Sequence, residues 1–221
     1  SLFIACIELV LLVNLLVFTD KNRQNFLVYL ILLLLAAYQT FEYLICGIGM
    51  KSSFTTYFAF TVISFLPPLS FLLVLSWLKI KSKLKPLILL PAVFFVIYYS
   101  SVINQFAVVK CNALFATYNF PLGTLYGAFY YLPIFVSFIL LVYNFKKADY
   151  NFKKADLETG KQTKLLITAH YFIIIPVVAS FILLLLNLPG LLHSIESILC
   201  KFAFGYAVAL GFFALNNRNK E

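Results

Sequence analysis

Glu8, Gln39, Glu42, His193, Glu196 and Lys201 all stand inside long runs of apolar residues. Side chains of these types are costly in such surroundings unless they pair with one another or line a polar cavity. They are therefore the first candidates for ligand binding, proton transfer or ion pairing. Gln39 and Glu42 are three apart, as are His193 and Glu196, so on helices each pair shares a face. Lys201 follows Glu196 by five positions, which separates the two by roughly 140° around a helix. Its counter-ion is expected from Glu8 or Glu42 instead. The set can act as one binding pocket, or as an ion pair that only fixes helices together. Asn14 and His170 are the remaining strongly polar residues within the apolar runs. His170 is expected near the cytoplasmic end of its helix, interfacial or packed.

These residues must be positioned by membrane helices. The chain is 63% hydrophobic and 11% charged, with a mean hydropathy of +0.97, outside the range of an ordinary soluble domain. Seven apolar spans run roughly over 2–18, 25–46, 54–78, 86–103, 123–144, 164–187 and 191–215, each near the bilayer-crossing length. The net charge of +9 is arranged by topology and gives no reason to invoke nucleic acid. Lys21 and Arg23, Lys79 to Lys85, Lys146 to Lys164, and Arg218 with Lys220 occupy alternate connections, with only Lys51 and Lys110 opposite. The positive-inside rule then predicts an all-α, seven-transmembrane-helix bundle with its N-terminus outside and its C-terminus cytoplasmic. One domain over residues 1–221 is expected, because the longest polar stretch runs only from about Phe145 to Thr163. The first span is expected to serve as its own insertion signal.

Prolines at 67, 68, 91, 133 and 176 lie within spans and are expected to kink them. Pro67 with Pro68, and Pro176, are the hinge candidates. Cys6, Cys46, Cys111 and Cys200 have no metal-ligand spacing. Cys46 and Cys111 both fall on the outer side, where a disulfide and a pair of free thiols are equally open. The apolar connection from about 104 to 122 is a candidate lid over the outer pocket. Residues 143–149, Tyr-Asn-Phe-Lys-Lys-Ala-Asp, recur unchanged at 150–156. Seven residues are two helical turns, so the repeat is expected to extend the fifth span into the cytoplasm.

The chain lacks the HExxH, GxSxG, P-loop and GxGxxG patterns, and its Asp residues all fall in or beside connections. No enzyme is expected, and no metal. The chain resembles the seven-helix N-terminal sensory region of bacterial histidine kinases and related bacterial membrane proteins. The stretches that carry the likeness are 38–43 (YQTFEY), 65–69 (FLPPL), 121–126 (PLGTLY), 160–163 (GKQT), Ile175-Pro176 and 197–200 (SILC). The resemblance implies sensing of a ligand or membrane state. The sequence shows no phospho-acceptor or ATP-binding domain, so either a separate cytoplasmic signalling partner or a longer parent chain is expected. Lys201-Phe202-Ala203-Phe204-Gly205 also resembles the last helix of microbial rhodopsins, which implies retinal bound covalently at Lys201. The third span lacks the acidic counter-ion of that family, and the sixth lacks its tryptophan.

The reading that follows is a receptor-like sensor of a bacterial cytoplasmic membrane. Its outward-facing pocket is built from Glu8, Gln39, Glu42, His193, Glu196 and Lys201, with the lipid bilayer as its surroundings. The alternatives are a retinal protein through Lys201 and a proton- or ion-coupled transporter that uses the same residues.

Overall fold

The computed structural model describes residues 1–80, 83, 85–112, 115–150, 157–186 and 189–217; at 109–110, 112, 115–117, 148–150, 157–159, 180, 183–184 and 189–201 it describes the backbone alone. The fold is mostly helical: α1 (Leu2–Phe18), α2 (Arg23–Cys46), α3 (Ser53–Ser64), α4 (Leu66–Trp77), α5 (Leu90–Ser101), α6 (Gly123–Tyr150), α7 (Leu157–Leu185) and α8 (Pro189–Asn216). Among the described residues, four segments are long and apolar enough to cross a membrane: Arg23–Cys46, Ser53–Trp77, Gly123–Lys147 and Gly160–Ala179. Leu2–Phe18 and Lys85–Ser101 are shorter apolar helical segments, as is the part of α8 from Phe202 to Asn216 whose side chains are described.

The helices are apolar on every side. On α1, Ala5, Leu12 and Leu15 are buried, while Phe3, Val10, Val13, Val17 and Phe18 are exposed. A helix with apolar residues all round belongs in a large core or in lipid, and side chains this exposed are not in a core. The main core gathers Leu15, Ile31, Leu32, Leu73, Leu141, Leu166, Leu210 and Phe213 from α1, α2, α4, α6, α7 and α8.

Proline chemistry explains two departures from the expected spans. The third span is two helices, broken at Phe65, because Pro67 and Pro68 have no N–H to return to the carbonyls of Ile63 and Ser64. Pro91, expected to kink its helix, instead lies in the first turn of α5, where an N–H would have no helical partner. Residues 85–89 before it form a 3-10 turn. Pro133 and Pro176 lie inside α6 and α7.

The apolar connection is an ordered β-hairpin. Strands β1 (Ala107–Asn112) and β2 (Phe115–Asn119) pair antiparallel, with an irregularity between Val108 and Lys110. Cys46 at the end of α2 and Cys111 on β1 form a disulfide. The Ser53 hydroxyl donates to the Phe106 carbonyl at 2.9 Å, a second tie to this end of the bundle. Beneath the hairpin Phe60, Phe95, Tyr99, Phe106 and Tyr126 form a separate buried aromatic cluster. Phe60 meets Phe106 edge-on at 5.1 Å between ring centroids, a favoured aromatic geometry.

Polar caps close the opposite end. The Asn22 side chain accepts from the Asn25 N–H at the start of α2. Asn217, just past α8, donates to the side-chain oxygens of Asn22 and Asn25 and accepts from both at its carbonyl. Gln162 of α7 donates to the Asn216 carbonyl, and the Trp77 indole of α4 donates to Thr163 at 3.1 Å. Elements that carry the basic connections are thus cross-linked at one level. Lys21, Arg23, Lys79, Lys146, Lys147, Lys161 and Lys164 are all exposed there.

Candidate functional site

Two anchored contacts set the relative depth of the polar residues. The Thr19 hydroxyl bonds the Leu15 carbonyl and the Tyr29 hydroxyl, which holds the antiparallel helices α1 and α2 in register. Both rise about 1.5 Å per residue, so equal steps from that contact bring Glu8 level with Thr40, flanked by Gln39 and Glu42. Equal steps from the Asn25–Asn217 bond bring Gln39 level with Ala203 on α8, and Glu42 level with Cys200. By that count the turn of α8 holding residues 200–203 is level with Gln39 and Glu42, whereas Leu11, packed against Gly211, sets Glu8 about level with position 208. Positions 193 and 196 lie nearer the outer end.

Glu8, Gln39 and Glu42 are all buried. Glu8 is 0% exposed, and neither of its carboxyl oxygens has a hydrogen-bond partner among the described residues. The side chains of His193, Glu196 and Lys201 lie outside the described residues. The packed stripe of α8 consists of Tyr206, Ala207, Leu210, Phe213 and Ala214. Carried back at about 100° per residue, it passes through position 196 and misses position 201.

Among the described residues the Glu8 carboxyl has no partner, and a buried carboxyl left so weakens the fold, so Glu8→Leu is expected to raise stability by about 1–3 kcal/mol. Thermal unfolding in detergent checks this. If response falls as stability rises, Glu8 is there for function; a loss of stability would mean that the carboxyl is a structural tie.

A second candidate site lies elsewhere. A cavity of about 410 Å³ lies between α2, α3, α4, α6, α7 and α8, within the size range of small-molecule sites. Leu35 and Tyr38 of α2, Phe60 and Ile63 of α3, Pro67 of α4, Tyr126, Gly127, Tyr130 and Tyr131 of α6, Ile173 and Val177 of α7, and Ala203 and Tyr206 of α8 line it. Tyr118 and Phe120, from β2 and the residue just past it, reach in from the hairpin side. Glu8, Gln39 and Glu42 do not line it, so the acidic residues and this cavity are separate features. Pro67 stands in its wall, at the break of the third span. Behind it a void of about 30 Å³ is bounded by Pro68, Pro91 and Pro133.

A buried chain of hydrogen bonds forms part of the cavity wall. The Leu166 carbonyl can only accept, so His170 Nδ1, 2.8 Å away, carries the proton. Nε2 of the neutral ring then accepts from the Ser70 hydroxyl at 3.2 Å. Tyr206 in turn donates to Ser70 Oγ at 2.8 Å. The chain joins α4, α7 and α8. His170 is therefore packed among the helices, one of the two surroundings its sequence position left open. Sequence reasoning passed over Ser70 and Tyr206, because serine and tyrosine are common in membrane helices. The available signal was three hydrogen-bonding residues at similar depth on different spans.

Close packing supports α8 on this side. A Cβ on Gly205 would come within 2.5 Å of the Phe172 ring, so glycine lets α7 and α8 approach. Pro176 leaves the Phe172 carbonyl without its helical donor at the same place. Among the described residues no group of three His, Cys, Asp or Glu is placed to hold a metal ion. Comparison with protein-family models, curated proteins and solved structures found no match.

Proposed function

We propose that this chain is a receptor-like membrane sensor of seven membrane helices, N-terminus outside and C-terminus cytoplasmic, which signals to a separate cytoplasmic partner. The observation that carries the reading is the placement of the 410 Å³ cavity against the break at Phe65, with the Tyr206–Ser70–His170 chain in its wall. A ligand there touches a helix that is already divided and the bond network that joins it to α7 and α8. It can therefore favour one arrangement of α4 over another, which differential binding to two states requires. The signal would leave through the Trp77–Thr163 and Gln162–Asn216 contacts, beside the exposed lysines.

Several observations support the topology. Leu2–Phe18 has 17 residues, about 26 Å of helix, close to the hydrocarbon thickness. The disulfide lies at the end opposite the lysine-rich connections, as it would on the oxidising side of a bacterial cytoplasmic membrane. A fluorescent protein fused after Glu221 is expected to be bright, and alkaline phosphatase fused there inactive. The reverse result would overturn the orientation.

The retinal alternative draws less support from this geometry. Cavity-lining positions 203 and 206 are on the opposite side of α8 from position 201 by the helical step. The transporter alternative requires a polar route between the two faces, and this cavity is lined mainly by aromatic and aliphatic residues.

The sensor reading is tested with spin labels at positions 21 and 161 in nanodiscs, after replacing Cys6 and Cys200 by Ser. Saturating 4-octylphenol, a neutral lipophile of suitable size, is expected to shift the label distance by a few ångströms. Saturable binding with no shift would leave a binding protein and not a sensor.

A further inference from the structure

From the hydrogen-bond directions in the cavity wall we infer the chemical class of the ligand: an uncharged, lipid-soluble molecule carrying a hydroxyl donor, bound with its hydroxyl on the oxygen of Tyr206. The inference rests on the sensor reading only in using the same cavity. No Asp, Glu, Lys, Arg or His belongs to the described lining. A charged ligand would lose its hydration with no opposite charge to replace it. The eight aromatic residues of the lining offer broad apolar surface, suited to a lipophile.

At Ser70, Tyr206 and Tyr126 the hydroxyls are committed in one direction. Leu166 takes the Nδ1 proton, His170 Nε2 takes the Ser70 proton, and Ser70 takes the Tyr206 proton. Tyr206 is left with oxygen lone pairs to offer. Tyr126 is in the same condition: Ser64 spends its proton on the Phe60 carbonyl at 2.6 Å, so Tyr126 must donate to Ser64 at 3.0 Å. Both hydroxyls, on α8 and on α6, therefore present acceptors and no free donor. An ether or ketone cannot use them without breaking the buried chain. An alcohol or phenol can, and a hydroxyl bond here discriminates because the alternative leaves a polar group unpaired.

The test compares 4-octylphenol, its methyl ether and its trimethylammonium analogue, each radiolabelled, binding to the full chain in nanodiscs with empty nanodiscs as the blank. The phenol is expected to bind about tenfold more tightly than the ether, the ratio of one hydrogen bond. Tyr206→Phe should erase that ratio while leaving ether binding intact. Gly127→Trp should abolish saturable binding of both. A Cβ at Gly127 meets only the Tyr131 ring, at 3.9 Å, so the indole has room to enter the cavity. Ala203→Ile narrows it from α8 should Gly127→Trp fail to fold. Equal binding of phenol and ether, sensitive to Gly127→Trp, would overturn the ligand class and leave the cavity as the binding site. Preference for the cation would overturn it in favour of aromatic-cage recognition. No saturable binding by any probe would overturn both the class and the cavity reading.

Discussion

Cys111→Ser is expected to lower the stability of the protein by about 2–4 kcal/mol, the largest loss from any single outer-side substitution. The bridge to Cys46 spans a sequence separation of 65, and a chain-entropy treatment of a loop that long puts the upper end near 4 kcal/mol. Helices that remain inserted in lipid when tertiary packing is lost already confine the two thiols, which sets the lower end. The loss should fall first on the hairpin, which is otherwise tied to the helices by the Ser53–Phe106 and Tyr99–Pro121 bonds and by ring contacts such as Phe60–Tyr118. Tyr118 and Phe120 would leave the cavity wall with it, so ligand affinity should fall as well. Thermal unfolding in detergent with and without reductant measures the effect. Cys46→Ser should match Cys111→Ser, and the double variant should cost no more than either one. A loss below about 1 kcal/mol would mean that the aromatic cluster beneath the hairpin suffices to hold it.

The sequence discloses helical architecture because its signal is long and repeated. Runs such as Leu30 to Ala36 cannot leave backbone groups unsatisfied in lipid, so helix is the one outcome open to them. The lysine pattern is legible for the same reason, each connection adding to its neighbours. The hairpin was not legible, since Ala107 to Asn119 contains no glycine or proline to mark a turn and reads equally well as an apolar loop. Pro91 misled because a proline inside an apolar run looks alike whether it opens a helix or kinks one. The break at Phe65 lay within one turn of the proline pair that signalled it.

The candidate site was legible for its acids and hidden for its cavity. Glu8, Gln39 and Glu42 announce themselves because carboxyl and amide groups are rare in such spans. A cavity is a property of what several helices leave unfilled, and no residue type encodes it. Gly127 and Ala203 look like ordinary small residues until Tyr38, Tyr126 and Tyr206 are seen around the same space. His170 could be found from sequence, but its partners could not, because Ser70 and Tyr206 stand on other spans.

Ser70→Ala is expected to be the most damaging change in the helix interior, and its cost relative to Tyr206→Phe tells what the chain is for. Alanine leaves two buried groups unpaired at once, His170 Nε2 and the Tyr206 hydroxyl, and each unsatisfied group costs about 1–3 kcal/mol. Tyr206→Phe removes one donor and leaves Ser70 bonded to His170, so it should cost only about 0.6 kcal/mol, the average worth of a hydrogen bond between membrane helices. Unfolding of the two single variants and the double variant in detergent measures these terms. The double should cost less than Ser70→Ala alone, because phenylalanine removes one of the two groups that alanine leaves unpaired. If the chain is the joint through which a ligand biases α4, then Tyr206→Phe, almost neutral for folding, should still remove the phenol-induced change in label distance. A variant that keeps the full distance change would show that the chain holds α4, α7 and α8 together and that the response travels by packing at the Phe65 break alone.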